Sequence, residues 1–102
     1  MTTLRIINKS PFERNSLDTC LRLAKQGSVI LLIEDGIYAA QKNTAVGDKV
    51  AAATGKHTLY ALTPDLEARG IGEDEIIDGI SLIDYAGFVQ LTTECSGVQS
   101  WL

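Results

Sequence analysis

The chain has 102 residues, with 13 acidic side chains against 9 basic ones, for a net charge of −4. That length fits one compact domain, and a domain this small buries only about two-thirds of the surface its unfolded chain exposes. The acidic balance, with no compensating run of Lys and Arg, argues against direct nucleic-acid binding, whose affinity comes from neutralising phosphates.

Met1 to Arg5 carries neither the basic start nor the long apolar stretch of a secretory signal. The longest apolar run, Val29 to Ile33, is too short to cross a bilayer. The expectation is a cytoplasmic protein that does not engage membranes, in which Cys20 and Cys95 are free thiols.

Leu4-Arg5-Ile6-Ile7 reads as a first strand. Asn15 or Ser16 then caps a helix running to about Gln26, with Gly27 as its stop. Val29 to Ile33 is unbroken and apolar, the pattern of a strand covered on both faces. Glu34-Asp35-Gly36 ends it. Short helical stretches follow at Ile37 to Gln41 and at about Ala45 to Ala53, before Gly55. Thr58 to Leu62 reads as the third strand. Thr63 to Gly70 is a punctuated short helix, with Thr63 as cap, Pro64 in the first turn and Gly70 closing it. Ile71 to Gly79 is acidic and turn-rich, Ile80 to Ile83 is a fourth strand, and Asp84 starts a last helix to about Cys95.

This alternation predicts a small three-layer α/β domain, with a mainly parallel sheet of four or five strands and helices on both faces. Ligands and catalytic groups in such folds gather at the carboxyl ends of the strands. Here those ends are Asn8-Lys9-Ser10, Glu34-Asp35-Gly36, Thr63-Pro64 and Asp84-Tyr85.

Cys20 is the candidate reactive residue. At about 100° per residue, Leu23, Cys20, Ala24, Leu17 and Leu21 form one apolar arc of the first helix. Helical position alone favours a small buried hydrophobe packed on the sheet. A sulfur-carrying role needs a thiolate that a partner can reach. Cys95 follows Glu94 near a helix carboxyl end, which disfavours the thiolate, so a structural role is expected there. Neither cysteine sits in a CxxC pair.

Glu34 and Asp35 invite a metal or phosphoacceptor reading, but a receiver domain would place acids where Asn8-Lys9 and Leu62-Thr63 stand, so Asp35 is expected to cap the following helix. His57, alone beside Lys56, reads as solvated, and no Cys/His cluster supports a metal. The loop of Lys9, Ser10, Asn15 and Ser16 lacks a Gly-rich fingerprint and Pro11 removes an amide donor, so no flavin or other cofactor is expected. Trp101 is either a plug over the core or an anchor in a subunit interface.

Four segments in order resemble one family over essentially the whole chain. They are Asn8-Lys9-Ser10-Pro11-Phe12, Leu31 through Ala40, Leu59-Tyr60-Ala61-Leu62 with Asp65 through Gly70, and Ile83 through Thr92, joined by the terminal Gln99-Ser100-Trp101. They resemble the DsrH/TusB proteins, the small subunits of the DsrEFH and TusBCD sulfur-relay complexes. The resemblance implies assembly with DsrE-like and DsrF-like subunits into a heterohexamer holding two copies of each. Such complexes pass persulfide sulfur between cysteines to a DsrC/TusE-like acceptor protein.

One branch of the family serves tRNA wobble-uridine 2-thiolation and the other dissimilatory sulfur oxidation. The helix cysteine matching Cys20 belongs to the sulfur-oxidation branch, so the expected protein is a DsrH-type subunit with Cys20 as candidate sulfur carrier. A TusB-type role, or a purely structural one with no sulfur on Cys20, is the alternative. The resemblance breaks at one place. The larger subunits carry their principal cysteine at a strand end shortly before an Arg-Gly, whereas Leu62-Thr63-Pro64 precedes Arg69-Gly70 here. The main transfer is therefore expected on a partner subunit.

Overall fold

The computed structural model describes residues 3–101, apart from the side chain of Trp101. Five parallel strands form one sheet: β1 Thr3–Ile7, β2 Val29–Leu32, β3 Thr58–Leu62, β4 Ile80–Ile83 and β5 Gly97–Trp101, in the order β4-β3-β2-β1-β5. The α-helices are α1 Ser16–Leu23, α2 Gly47–Ala53, α3 Thr63–Ala68 and α4 Tyr85–Glu94. Two 3-10 segments, Glu34–Ala40 and Glu73–Glu75, lie in the connections.

The strand order decides which helix covers which face. From β1 to β4 the chain steps the same way across the sheet, so right-handed crossovers place α1, α2 and α3 on one face. The last crossover runs back from β4 to the far edge beside β1, so α4 lies on the other face. The packing agrees. Ile7, Ile30, Leu32, Leu59 and Ala61 pack with Leu17 and Cys20 of α1, Val50 and Ala53 of α2, and Leu66 of α3. Leu4, Ile6 and Leu31 point the opposite way and meet Leu91 of α4, with Phe88 at the margin. Each large aliphatic side chain buried in this way contributes about 1.5–3 kcal/mol relative to exposure.

The second face is under-covered, because one helix of ten residues cannot roof five strands. Val29, Ile33, Tyr60 and Ile83 are only partly buried there. Tyr85 and Val89 of α4 are 60% and 63% exposed, and Val98 of β5 is 51% exposed.

Several local expectations shift. Helix α1 stops at Leu23 rather than about Gln26, because Ala24 is already extended. Gly27 makes the turn three residues later at φ +86°, its amide donating to Lys56 O. Thr63 is the first residue of α3, not its cap. Asp84 does cap α4, accepting from Gly87 N at 2.9 Å. The tail forms β5, a strand disguised in sequence by Gly97, Gln99 and Ser100. The two readings of Trp101 concern a side chain outside the described residues.

Gly36 sits where β1 and the end of β2 close together. A Cβ there would lie 2.2 Å from Ile7 O, the same carbonyl that accepts from Ile33 N at 3.0 Å. Gly36→Ala is expected to destabilise the fold by at least about 1–3 kcal/mol through backbone overpacking. Gly47→Ala, with no atom nearer than 3.8 Å, is expected to be far milder, and urea denaturation of the two variants checks the contrast.

Candidate functional site

At the carboxyl ends of β1, β2 and β3 the chain builds one polar cluster from Asn8, Glu34, Asp35, Asp65 and Arg69. Asn8 Nδ2 donates to Glu34 Oε2 at 3.3 Å, tying the end of β1 to the turn after β2. Glu34 adopts φ +50°, a left-handed conformation unfavourable to a side-chain-bearing residue. Its amide donates to Asp65 Oδ2 at 2.6 Å, and this charge-assisted bond holds the turn in place. Arg69 directs Nε and Nη2 onto Asp35 Oδ1, both at 3.0 Å, while its Nη1 donates to Asp65 O at 3.2 Å. Arg69 thereby joins α3 to the 3-10 segment.

The Asn8-Lys9-Ser10-Pro11-Phe12 loop borders this cluster. Ser10 is buried. Its Oγ accepts from Phe12 N at 3.2 Å, and its carbonyl accepts from Glu13 N and Arg14 N at 3.2 and 3.1 Å. The tight turn leaves the Phe12 ring 54% exposed at the same end of the sheet.

The cluster contains no thiol. Cys20, the candidate sulfur carrier, is fully enclosed beneath α1 in the core with Leu17, Ile7 and Ile30. Burial pushes its thiol up from 9.0 to about 11, against a smaller opposing pull from Arg5. Cys95 caps the end of α4 and is half-buried; burial first and Glu94 second raise its thiol. Among the described residues no group of three His, Cys, Asp or Glu could hold a metal ion.

Two sequence expectations change here. Asp35 does not cap the 3-10 segment, which begins after Ile33 with no side-chain cap; its carboxylate pairs with Arg69 instead. His57 is 9% exposed rather than solvated, because it enters β3 beneath the α1–α2 layer, its amide donating to Ala53 O at 2.9 Å. Asp65 and Arg69 entered the sequence reading as part of a short helix and of a matched family segment, without a tie to the turn after β2. Their four-residue spacing, which puts both on one side of α3, was the available signal.

The family model described as DsrH like protein matches residues 9–98. The chain belongs to the DsrH-like family. Protein TusB of Pectobacterium parmentieri is 38% identical over 98 residues, covering 96% of this chain and 99% of that protein. Protein TusB of Salmonella arizonae is 36% identical over 81 residues, covering 79% of this chain and 82% of its own. Among solved structures, the ychN protein from E. coli superposes with a TM-score of 0.78 at 19% identity, over 98% of this chain and 99% of that one. Protein Tm0979 from Thermotoga maritima gives 0.62 at 24% identity, over 90% and 92%. These two likenesses establish the fold. In this DsrH-like chain the polar cluster organises the turn after β2 and supplies no nucleophile of its own.

Asp65→Ala is expected to destabilise the domain by about 1.5–3 kcal/mol, because the Glu34 amide loses a charged acceptor in a strained turn. Asp65→Asn keeps an acceptor oxygen and is expected to lose less, as thermal melts of both variants measure.

The raised Cys20 thiol sets a second expectation. Its folded pKa of about 11 lies above the ordinary 9.0, so between those values the unfolded chain releases a proton that the folded chain keeps. Stability should therefore be unaffected by this group below pH 9 and should fall as pH rises towards 11. Denaturant unfolding of the native chain and of Cys20→Ala across that range tests it, since the variant should lose that component of the decline.

Proposed function

We propose that this chain is a non-principal subunit of an intracellular sulfur-relay complex, acting with DsrE-like and DsrF-like partners and a DsrC/TusE-like acceptor. The single observation that carries this reading is the strand-end cluster of a DsrH-like chain in which no thiol stands. Leu62, Thr63 and Pro64 occupy the end of β3 and the start of α3, where the larger subunits of such complexes hold their principal cysteine. The subunit then shapes the complex and the acceptor surface, while sulfur passes through a partner. The under-covered α4 face, with Tyr85, Val89 and Val98 open to solvent, supports assembly with other subunits.

Relatives bearing the name TusB favour the tRNA wobble-uridine thiolation branch over dissimilatory sulfur oxidation. The sulfur-oxidation reading keeps one observation of its own, the presence of Cys20 in α1 with its matching flanks. Enclosure of Cys20 and its raised thiol favour core packing over sulfur carriage in either branch.

Co-expression with DsrE-like and DsrF-like partners is expected to yield a stable heterohexamer with two copies of each subunit. Recovery of a chain that never binds them would refute the assignment. After exposure of that complex to a sulfane-sulfur donor, mass spectrometry is expected to find the adduct on the larger partner and Cys20 unmodified. A persulfide on Cys20 would restore the carrier role. Restoration of tRNA 2-thiouridine in a bacterium lacking TusB separates the two branches.

A further inference from the structure

At the amino ends of the strands, opposite the polar cluster, α1 and α2 part over a cleft of about 220 Å³. Leu21, Ala52 and Ala53 form its apolar part, and Lys49, Lys56 and His57 are its ionisable groups among the described residues. Among the described residues no carboxylate lines it, in a chain whose net charge is −4. Lys49 is held by Asp18 across the α1–α2 seam. Lys56 has no ion pair among the described residues, and its backbone alone is engaged, through Gly27 N and Ala53 O.

His57 is the second signal. The residue is more than nine-tenths buried, and its Nδ1 is enclosed without a hydrogen-bond partner. Burial first, then Lys56 and Arg5, hold its pKa below the ordinary 6.5. Arg5 carries the same deficit: its Nε is enclosed and unpartnered, and its Nη1 reaches only the neutral Gln99 Oε1, at 2.6 Å. Buried donors and cations are stable when an acceptor or opposite charge meets them. This corner of the molecule holds two such groups, His57 and Arg5, beside the exposed Lys56, and its nearest carboxylate, Asp18, is taken by Lys49.

We propose that the cleft between α1 and α2 binds a small tetrahedral oxyanion of the phosphate class, with Lys56 supplying the charge and His57 a second donor. Its volume falls below the roughly 300–1,000 Å³ of pockets that enclose organic ligands, which favours an ion over a cofactor. His57 binds the anion as imidazolium, so one proton is taken up from solvent as the anion seats. The charged groups acting on that imidazole are Lys56 and Arg5, with the Asp18-paired Lys49 lining the same cleft; Cys20 stays a neutral thiol throughout this range. The site is independent of the sulfur-relay reading.

His57 is the single histidine of the chain, so its NMR titration reports the site without ambiguity. The intact chain is titrated in chloride, inorganic phosphate, sulfate and glycerol phosphate at matched ionic strength. Phosphate is expected to raise the His57 midpoint by about one unit, a ten-fold gain in proton affinity. By linkage phosphate then binds ten-fold more tightly to the protonated form. Lys56→Gln should abolish the rise with the amide spectrum otherwise unchanged, and Lys56→Arg should keep it. A comparable rise with glycerol phosphate supports recognition of the phosphate group on an organic ester as well as the free ion. A His57 midpoint that is the same in phosphate and chloride, or that rises undiminished in Lys56→Gln, overturns the proposal.

Discussion

The close approach of Gly36 to the Ile7 carbonyl is the contact on which the polar cluster at the strand ends depends. That carbonyl accepts from Ile33 N while lying 2.2 Å from where any Cβ on residue 36 would stand. Only a glycine lets the chain leave β2 and fold back so tightly. The turn then carries Glu34 and Asp35 to the ends of β1 and α3, where Asn8, Asp65 and Arg69 receive them. The left-handed Glu34 is stabilised by what the turn brings together, in particular its own amide bond to Asp65.

A second constraint is topological. Three crossovers in one direction load α1, α2 and α3 onto one face, and a single return crossover leaves α4 alone on the other. The first face encloses Cys20 completely, which raises its thiol. The second face keeps Tyr60 and Ile83 half-open beside exposed Tyr85 and Val89. One topological fact thus bears both on the reactivity of the thiol and on the surface left for assembly. A domain of this size has little apolar surface to spare, so such a face is costly unless it serves association.

Much of this was legible in the residues. Val29 to Ile33 announced a doubly covered strand, and Asp84 announced the start of α4. The apolar arc through Leu17, Cys20 and Leu21 announced burial beneath α1. The fifth strand was less legible, because pairing with β1, not apolar periodicity, makes Gly97 to Trp101 a strand. Asp35 as a helix cap and His57 as a solvated residue both failed for one reason. Their partners, Arg69 and the α1–α2 layer, lie far away in sequence, and local rules weigh only near neighbours.

The amino-acid sequence by itself determined the α/β class, the order of the principal elements, the absence of a thiol beside Arg69-Gly70 and the resemblance to the DsrH/TusB proteins. These follow from periodicity, turn chemistry and residue identity, which are local properties. The tertiary structure alone decided how completely Cys20 is sealed, that Asp65 and Arg69 secure the turn after β2, and that Lys56 and His57 share a cleft. Accessibility and charge balance are sums over neighbours brought together by the crossovers, so they exist only once the sheet has formed.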